Sequence, residues 1–427
     1  MTETHDTQEF AAFIGLDWAD RKHDVVVRAA DAERGEHRQL EHSPEALDAW
    51  AAELRERFAG RPIALCFEQT RGPIAYALLK YDFFVLFPLP PAQLASYRKS
   101  LRTSGAKNDA SDAALILDFL LRHRDQLRVW RPDAPLTRKL RLLAEWRRDA
   151  VDHRTRLTNQ LIAALKLYFP QALKLVGTDV FSEMTCAFLL KWPTLAALQK
   201  AAPQTLRKFY YAHGCRSEKC IAERLEIAAS AVPLTTDDAL IDAASLHVRT
   251  LVEQLRPLHK AIARYDREIA AIMDQHPDAA LFRALPGAGA VIAPRLLVAF
   301  GDDRERYASA AELQTFAGVA PVTRQSGRRC TVQRRWACPQ FLLQTFHEFA
   351  QWSSRYCAWA GAFYRQQRAA GKKHNAALRT LAFKWIRVLF RCWKTSTPYD
   401  EATYLEALRR RNAPLLAYLA PSTKTGG

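Results

Sequence analysis

The stretch FIGLDWADRKHDVVVRAA, residues 13–30, decides the fold of the N-terminal part of this chain. It contains two apolar runs separated by a charged segment, and the first run ends at Asp17. The second run holds three consecutive valines, and β-branched residues favour strands. A turn at Gly35 would lead into a third strand over 36–41. The pattern therefore predicts a sheet that begins with three consecutive strands, the first of which ends in a carboxylate.

Strands and helices alternate over the next eighty or so residues. Ser43 and Pro44 indicate a helix start, because serine caps a helix N-terminus and proline suits its first turn. The further segments are strands over 62–67 and 83–87, and helices over 43–58, about 74–80 and 109–123. Three strands followed by this alternation predict a mixed α/β sheet with helices on its faces.

From residue 136 the pattern becomes almost wholly helical. Two long amphipathic helices, over 136–169 and 246–275, predict an antiparallel coiled-coil arm that encloses 170–244. Pro257 is expected to kink or break the second helix.

A third region begins at Phe282, with helices on either side of a polar, basic loop over 323–333. Its helices make it an all-α domain. The chain is thus predicted to have four parts: a sheet domain over 1–130, a helical arm with an inserted segment over 131–278, a mainly helical C-terminal domain over 279–413, and a flexible tail over 414–427.

The charge of the chain points to a polyanionic partner. Its 62 basic and 45 acidic residues give a formal net charge of +17. Residues 321–400 hold 15 Lys and Arg against two acids, a net +13 within that window. Nucleic acid is the commonest polyanion for such a protein, and aromatic residues lie among these charges. The alternative is a solvated basic face.

The sequence gives no indication of a membrane or secreted protein. The polar N-terminus lacks a signal pattern, and no apolar run approaches the ~18 residues that would span a bilayer. The eight cysteines are scattered without the paired spacing of a zinc site. We expect reduced thiols in a cytoplasmic, nucleoid-associated protein.

Four carboxylates carry the catalytic prediction. Asp17 and Glu68 each end a predicted strand, while Asp109 and Asp112 lie three apart at a helix start. Strand ends are where an open α/β sheet gathers its site residues. Converging carboxylates repel one another unless a divalent cation such as Mg²⁺ (or Mn²⁺) neutralises them. Taken singly, each has an ordinary alternative as a turn residue or a helix cap.

Two basic residues, Arg102 and Lys107, precede the acid pair. They are predicted to contact phosphates, with solvated loop charge as the alternative.

Several motifs occur in the order in which they occur in one known family. In the N-terminal part they are Ile14-Gly15-Leu16-Asp17, Phe67-Glu68-Gln69-Thr70 and Lys107-Asn108-Asp109-Ala110-Ser111-Asp112-Ala113. In the C-terminal part they are Leu285-Pro286-Gly287-Ala288-Gly289, Phe316-Ala317-Gly318-Val319-Ala320-Pro321, Gln325-Ser326-Gly327 and Gly371-Lys372-Lys373-His374-Asn375-Ala376. With these motifs the chain resembles the DEDD-type insertion-sequence transposases.

The resemblance implies a RuvC-like, ribonuclease-H-type first domain in which Asp17, Glu68, Asp109 and Asp112 bind the metal. It also implies a C-terminal transposase domain with a nucleophilic serine, best matched by Ser326. Family members are similar in pairing a structured bridge RNA with donor and target DNA, and they act as higher oligomers. We therefore expect DNA, a bridge RNA and a homo-oligomer (dimer or tetramer) as partners.

Basic residues around the serine are expected to hold nucleic-acid backbones. A serine hydroxyl is a weak nucleophile unless it is activated, and neighbouring guanidinium groups would steady charge at phosphorus. The predicted contacts are Arg324, Arg328, Arg329, Arg334, Arg335, Lys372 and Lys373. Among the aromatic residues of this region, most are expected in the core, although stacking on bases is the alternative.

Two other functions remain open on the sequence. A junction-resolving nuclease would use the same acids with water as nucleophile and would form no protein–DNA adduct. A non-catalytic nucleic-acid-binding protein would be indifferent both to Mg²⁺ and to Asp17→Asn.

Overall fold

The computed structural model describes residues 9–68, 72–101, 109–327 and 329–419, with the side chains of 109–111 left aside. The chain divides between Pro132 and Asp133 into two compact units. Arg102, Lys107 and Arg328, three of the predicted phosphate contacts, lie outside the described residues.

The first unit is built on a five-stranded mixed sheet of order β3-β2-β1-β4-β5. Its strands are β1 (Ala12–Asp17), β2 (Lys22–Ala29), β3 (Glu36–Glu41), β4 (Ile63–Glu68) and β5 (Phe84–Leu89). The first three strands pair antiparallel, and β4 and β5 run parallel to β1. This confirms the predicted mixed sheet, including its start with three consecutive strands.

Helices cover both faces of the sheet. They are α1 (Pro44–Arg57), α2 (Pro73–Leu78), α3 (Pro91–Leu101) and α4 (Asp109–His123), followed by a 3-10 turn over Arg124–Gln126. Leu16 and Leu65 belong to a core with Trp50 of α1, while Ala64 and Cys66 belong to a second core with α4. The strand residues thus alternate between the two cores, as the pleat requires.

Two local predictions for this unit need correction. The strand predicted to end at Phe87 continues through Pro88 to Leu89. Proline is tolerated there because β5 is an edge strand, where a missing N–H costs no ladder hydrogen bond. The helix α3, which follows directly, was not predicted because three prolines around it indicated a break.

The second unit contains the predicted pair of long helices. They are α5 (Pro135–Tyr168) and α11 (Asp238–Gln275), which pack along each other. Between them lie α6 (Ala172–Val176), α7 (Glu183–Lys191), α8 (Leu195–Gln199), α9 (Pro203–Ala212) and α10 (Glu218–Ser230). The predicted start of α11 at residue 246 is eight residues too late, because Asp237 caps it by accepting from the Leu240 N–H at 3.2 Å. At Pro257, where a kink or break was predicted, the helix continues without a break.

Helices dominate the C-terminal part, which supports the predicted fold class. They are α12 (Ala279–Arg283), α13 (Gly289–Phe300), α14 (Ala310–Phe316), α15 (Gln340–Tyr356), α16 (Ala358–Ala369), α17 (His374–Lys394) and α18 (Glu401–Arg410), with a 3-10 helix over Pro414–Tyr418. Trp359, Trp385 and Trp393 are fully buried, and each indole N–H donates to an oxygen. None of the described helices is long and apolar enough to cross a membrane.

The polar segment over 323–333 is a β-hairpin and not the predicted loop. Its strands are β6 (Val322–Ser326) and β7 (Arg329–Gln333), which pair antiparallel. Gly327 begins the turn with φ +54°, a left-handed conformation that glycine adopts without a steric cost. Most side chains on both strands are exposed, so neither strand shows the apolar alternation that predicts strands from sequence.

A buried ionic cluster at Asp133 joins the start of α5 to the end of α13. Asp133 accepts from Arg141 at 2.8 Å, from Arg306 at 2.5 Å and from the Asp302 N–H at 3.2 Å. Burial alone would raise the pKa of Asp133, but Arg306 and Arg141 outweigh it and lower the pKa. The carboxylate is therefore charged and bound on both oxygens.

Candidate active site

Helix α4 lies directly on strand β1, and a glycine makes this possible. A Cβ atom added to Gly15 would overlap the carbonyl oxygen of Ala113 and lie 2.6 Å from the Leu117 amide nitrogen. Because these are backbone atoms of α4, only glycine permits the close approach. The glycine of the Ile14-Gly15-Leu16-Asp17 motif thus sets the position of α4 over the sheet.

The direction of α4 follows from a contact at its far end. Arg124, just after α4, has its guanidinium 5.5 Å from the ring centroid of Phe10, which precedes β1. The C-terminal end of α4 therefore lies at the beginning of β1. The N-terminal turn of α4, which starts at Asp109 and includes Asp112, points toward the other end of β1, where Asp17 lies.

Asp17 and Glu68 occupy neighbouring positions on the face that α4 covers. Leu16 pairs with Phe67 in the parallel ladder, so the next residue of each strand stands side by side on strands about 4.8 Å apart. Both positions alternate with residues of the α1 core, which places them on the α4 face. Both side chains are partly exposed. The topology thus brings Asp17, Glu68 and the N-terminal turn of α4 to one edge of one face.

Asp112 is buried and held by a basic partner that the sequence did not reveal. Its side chain is 4% exposed and accepts from Arg98 of α3 on both oxygens. The distances are 3.1 Å from Nε to Oδ1 and 2.7 Å from Nη2 to Oδ2. This two-pronged pair neutralises Asp112 and ties α3 to α4. A carboxylate has about four lone-pair positions, so Arg98 leaves part of its coordinating capacity unused.

A fifth acid, Asp24, lies beside Asp17 and was missed by the sequence analysis. The two residues are direct partners in the antiparallel ladder of β1 and β2. Asp24 is 8% exposed and bonds to the His37 Nε2 atom at 2.9 Å. The sequence pattern could have revealed Asp24. It lies two residues before Val26 in the same strand, so both side chains point to the face that α4 covers.

The loop after Asp17 is held by a buried histidine. The Ala19 N–H donates to Nδ1 of His23 at 3.2 Å, and Nε2 of His23 lies 2.9 Å from Nδ1 of His42. Burial and then the nearby His42 ring lower the pKa of His23 to about 4, so the ring is neutral near pH 7. A neutral ring with Nδ1 accepting must carry its proton on Nε2, which sets the donor of the histidine pair.

The donor set at this edge fits a divalent cation in its chemistry. Carboxylate oxygens are the ligands that Mg²⁺ and Mn²⁺ prefer, and Asp17, Glu68, Asp109 and Asp112 are the residues that would hold the ion. Within the described part of the chain, no three His, Cys, Asp or Glu side chains yet form a group able to hold a metal. Among these four, Asp112 is engaged by Arg98 instead, and the neighbouring Asp24 bonds to His37.

Ser326 is an exposed residue of the second unit, and the acids belong to the first. It is the last residue of β6, beside the hairpin turn, and pairs with Arg329 across the ladder. The Arg324 and Arg329 side chains are also exposed. The Ser326 hydroxyl and the Arg324 and Arg329 guanidinium groups are thus exposed together near the turn of this hairpin.

The other predicted basic contacts are distributed around this part of the chain. Arg334 has its guanidinium 4.5 Å from the ring centroid of Trp336, a residue that is itself exposed. Arg335 is partly exposed. Lys372 donates to the Gln367 side-chain oxygen at 2.6 Å, and Lys373 is exposed at the start of α17. The charged groups of all four residues therefore lie at or near the surface.

Comparison with known proteins gives matches in both parts of the chain. The DEDD-type model for IS110 transposases matches residues 14–170, and a model described as the transposase of the IS116/IS110/IS902 family matches residues 279–365. A protein assigned as the mini-circle transposase for IS117 of Streptomyces coelicolor is 29% identical, over 95% of this chain and 97% of that protein. The 44.8 kDa protein of insertion element IS116 from Streptomyces clavuligerus is 30% identical, over 68% of this chain and 73% of its own length. The 42 kDa protein of IS900 from Mycobacterium paratuberculosis is 27% identical, over 91% and 97%.

Proposed function

Because this chain belongs to the IS116/IS110/IS902 family of insertion-element transposases, we propose that it cuts donor and target DNA and rejoins them through a phosphoserine. The observation that carries the catalytic part is the acidic edge under α4. There Asp17, Glu68 and the N-terminal turn of α4 meet on one face of the sheet.

In the first step the Ser326 hydroxyl oxygen attacks a DNA phosphorus. A new oxygen–phosphorus bond forms, the bond to the deoxyribose oxygen breaks, and that oxygen takes up the proton that serine gives up. Arg324 and Arg329, exposed beside the serine, stabilise the negative charge that builds on phosphorus. The phosphoserine conserves the bond energy, so no ATP is needed.

In the second step a free DNA hydroxyl attacks the phosphoserine. The new phosphodiester forms, the bond to Ser326 breaks, and serine recovers a proton from the attacking hydroxyl. The acids orient and hold the reacting groups, and a bound Mg²⁺ (or Mn²⁺) would supply stabilisation of charge on the attacking and leaving oxygens.

The partners and setting of the reaction belong to the same proposal. The net charge of +13 over residues 321–400 suits a nucleic-acid backbone, and a bridge RNA would choose the sequences to be joined. The acids and Ser326 lie in different units, which suits assembly of the reaction from more than one subunit of a dimer or tetramer. A protein that acts on such DNA would work in the cytoplasm, at the nucleoid. The predicted parts 131–278 and 279–413 would serve as the arm and the transposase domain.

One alternative has a specific observation in its favour. The acidic edge is assembled entirely within the first unit, without any contribution from Ser326. A water-using, junction-resolving nuclease would need these acids and a divalent ion, but not Ser326.

Adduct formation separates the two functions. Purified protein, element-derived RNA, Mg²⁺ and labelled DNA are incubated and run on a denaturing gel. The proposal expects a protein-linked DNA band that Ser326→Ala and Asp17→Asn both abolish. Ser230→Ala and Asp82→Asn, exposed residues away from these groups, are the matched controls and should keep the band. Cleavage that survives Ser326→Ala and is lost in Asp17→Asn would instead establish the water-using nuclease. Binding without cleavage in every variant would leave a non-catalytic protein.

A further inference from the structure

A groove of about 320 Å³ opens where α15, α16 and the start of α17 come together. Two exposed arginines and four polar groups line it: Arg355, Arg365, Gln351, Ser354, Tyr364 and His374. The close crossing beneath it depends on a glycine, because a Cβ on Gly361 would lie 2.7 Å from the Ser354 carbonyl oxygen. The groove lies outside the acidic edge and outside the serine hairpin.

The residues that line the groove suit the binding of an anion. None of its described lining residues is acidic, and the sequence from 349 to 399 contains ten Lys and Arg with no Asp or Glu. The Tyr364 hydroxyl lies 2.8 Å from Nδ1 of His374, which orients both groups at the rim. Arg365 donates one Nη2 bond to the Tyr418 carbonyl at 2.9 Å, so its guanidinium is fixed in direction. A fixed guanidinium beside hydroxyl and imidazole groups suits phosphate oxygens.

An exposed aromatic pair stands next to this groove. Trp352 and Tyr356 of α15 lie one helical turn apart, with ring centroids 6.2 Å apart and planes 21° apart. They remain 41% and 64% exposed, whereas Trp359, Trp385 and Trp393 are fully buried. A Cβ on Gly287 would lie 3.0 Å from Trp352 backbone and 3.1 Å from the Tyr356 ring, so the turn at 285–289 supports the pair from one side.

Arg355 joins the two features. It lines the groove, and its guanidinium carbon lies 5.1 Å from the Trp352 ring centroid. A basic groove beside aromatic stacking surfaces is the combination that proteins use to bind unpaired strands. In a duplex the base faces are stacked on each other and unavailable to the aromatic pair.

We propose that this groove and the Trp352–Tyr356 pair bind an unpaired polynucleotide strand, with a phosphate held by Arg355 and Arg365 and a base stacked on Trp352. This inference rests on the proposed function, in which nucleic acids are the partners. RNA loops and opened DNA share the chemistry of a phosphate linked to an exposed base, and the test separates them.

The test measures fluorescence anisotropy of labelled oligouridylate, oligothymidylate and a DNA duplex over a salt series with the full-length protein. Arg365→Ala should weaken single-strand binding and reduce the slope of log K against log salt by about 0.7, the value for one lost phosphate contact on a single strand. Trp352→Ala should weaken single-strand binding at least about fivefold with no change of slope, since stacking is not ionic. Trp352→Phe should recover most of the affinity. Neither Arg365→Ala nor Trp352→Ala should alter binding of the DNA duplex.

Arg410→Ala, an exposed arginine on α18, is the control for general loss of charge. If Arg365→Ala behaves like Arg410→Ala, or if Trp352→Ala binds as wild type does, the groove assignment is wrong while the proposed function stands. If the wild type binds none of the three ligands, the proposed function fails along with it. The strand type on which Arg365→Ala loses affinity identifies the ligand as RNA or DNA.

Discussion

Replacing Gly15 with alanine tests whether direct contact between α4 and β1 builds the acidic edge. The added Cβ would overlap the Ala113 carbonyl oxygen and lie 2.6 Å from the Leu117 amide nitrogen. Both atoms belong to the backbone, so no side chain can turn away to make room. Relief requires α4 to move off the strand, which also displaces its N-terminal turn and Asp112.

The size of the effect follows from two opposing contributions. Overpacking a tight core costs about 1–3 kcal/mol, and rigid backbone neighbours place Gly15 at the upper end of that range. Alanine recovers roughly 0.4–1 kcal/mol by restricting the unfolded chain. We therefore expect α4 to lose about 2 kcal/mol in its free energy of opening. DNA cleavage should fall roughly 100-fold, because a 1 Å misplacement of reacting groups has about that effect.

Hydrogen exchange on the full-length protein measures the opening of α4 and β1 directly. Gly60→Ala is the matched control, since its added Cβ meets nothing and only the left-handed backbone (φ +66°) opposes it. That strain is worth about 1 kcal/mol and lies away from α4. Wild-type protection of α4 and wild-type cleavage in Gly15→Ala would refute the argument that this glycine positions the acids.

Three further predictions concern buried charges. Asp133→Asn should lower the free energy of unfolding by roughly 3 kcal/mol in urea titration, because it leaves the partly buried Arg141 and Arg306 without their anion. The stabilisation by Asp133 should also be lost as pH falls through its lowered pKa, and an acid limb unchanged by the substitution would contradict this. The pKa of His23 is lowered to about 4 in the folded protein, so between pH 6.5 and 4 the unfolded chain binds a proton that the folded chain does not. The protein should therefore lose up to about 3 kcal/mol of stability as pH falls through this range. His23→Phe should flatten this part of the curve of stability against pH. Arg98→Ala should destabilise α4 by about 3 kcal/mol, because it leaves the buried Asp112 carboxylate without its cation. Mg²⁺ should then restore more stability to this variant than it adds to the wild type. Equal responses to Mg²⁺ in the two proteins would exclude an ion at Asp112.

The mixed sheet was predictable because its signals are local. Apolar runs, β-branched residues and the cap at Ser43 each report on their own neighbourhood, and the observed cap accepts from the Ala46 N–H at 3.1 Å. The position of Asp17 and Glu68 at strand ends follows from the same runs. Their adjacency needed one further step, the parallel pairing of β1 with β4, which only the register of the folded sheet shows.

The partner of Asp112 was not predictable, because the pair depends on tertiary packing. Arg98 lies fourteen residues before Asp112, on helix α3, which the prolines at its start made hard to predict. Nothing in its sequence neighbourhood distinguishes it from other surface arginines. The serine hairpin was missed for a different reason. Its strands are exposed on both faces, and a hairpin of this kind is not stabilised by a buried side, so periodicity carries no signal.

Mutual repulsion among the acids of the acidic edge explains why two of them have partners. Asp17, Asp24, Glu68 and Asp112 share a face, and like charges at this spacing disfavour the folded state unless cations offset them. The chain supplies the Arg98 cation for Asp112, and Asp24 forms a hydrogen bond with His37. Asp17 and Glu68 stay partly exposed at the centre of the edge, where a divalent ion has access from solvent. Of these four acids, Asp17 and Glu68 are therefore the more accessible to an ion from solvent, whereas Asp24 and Asp112 also tie neighbouring elements together.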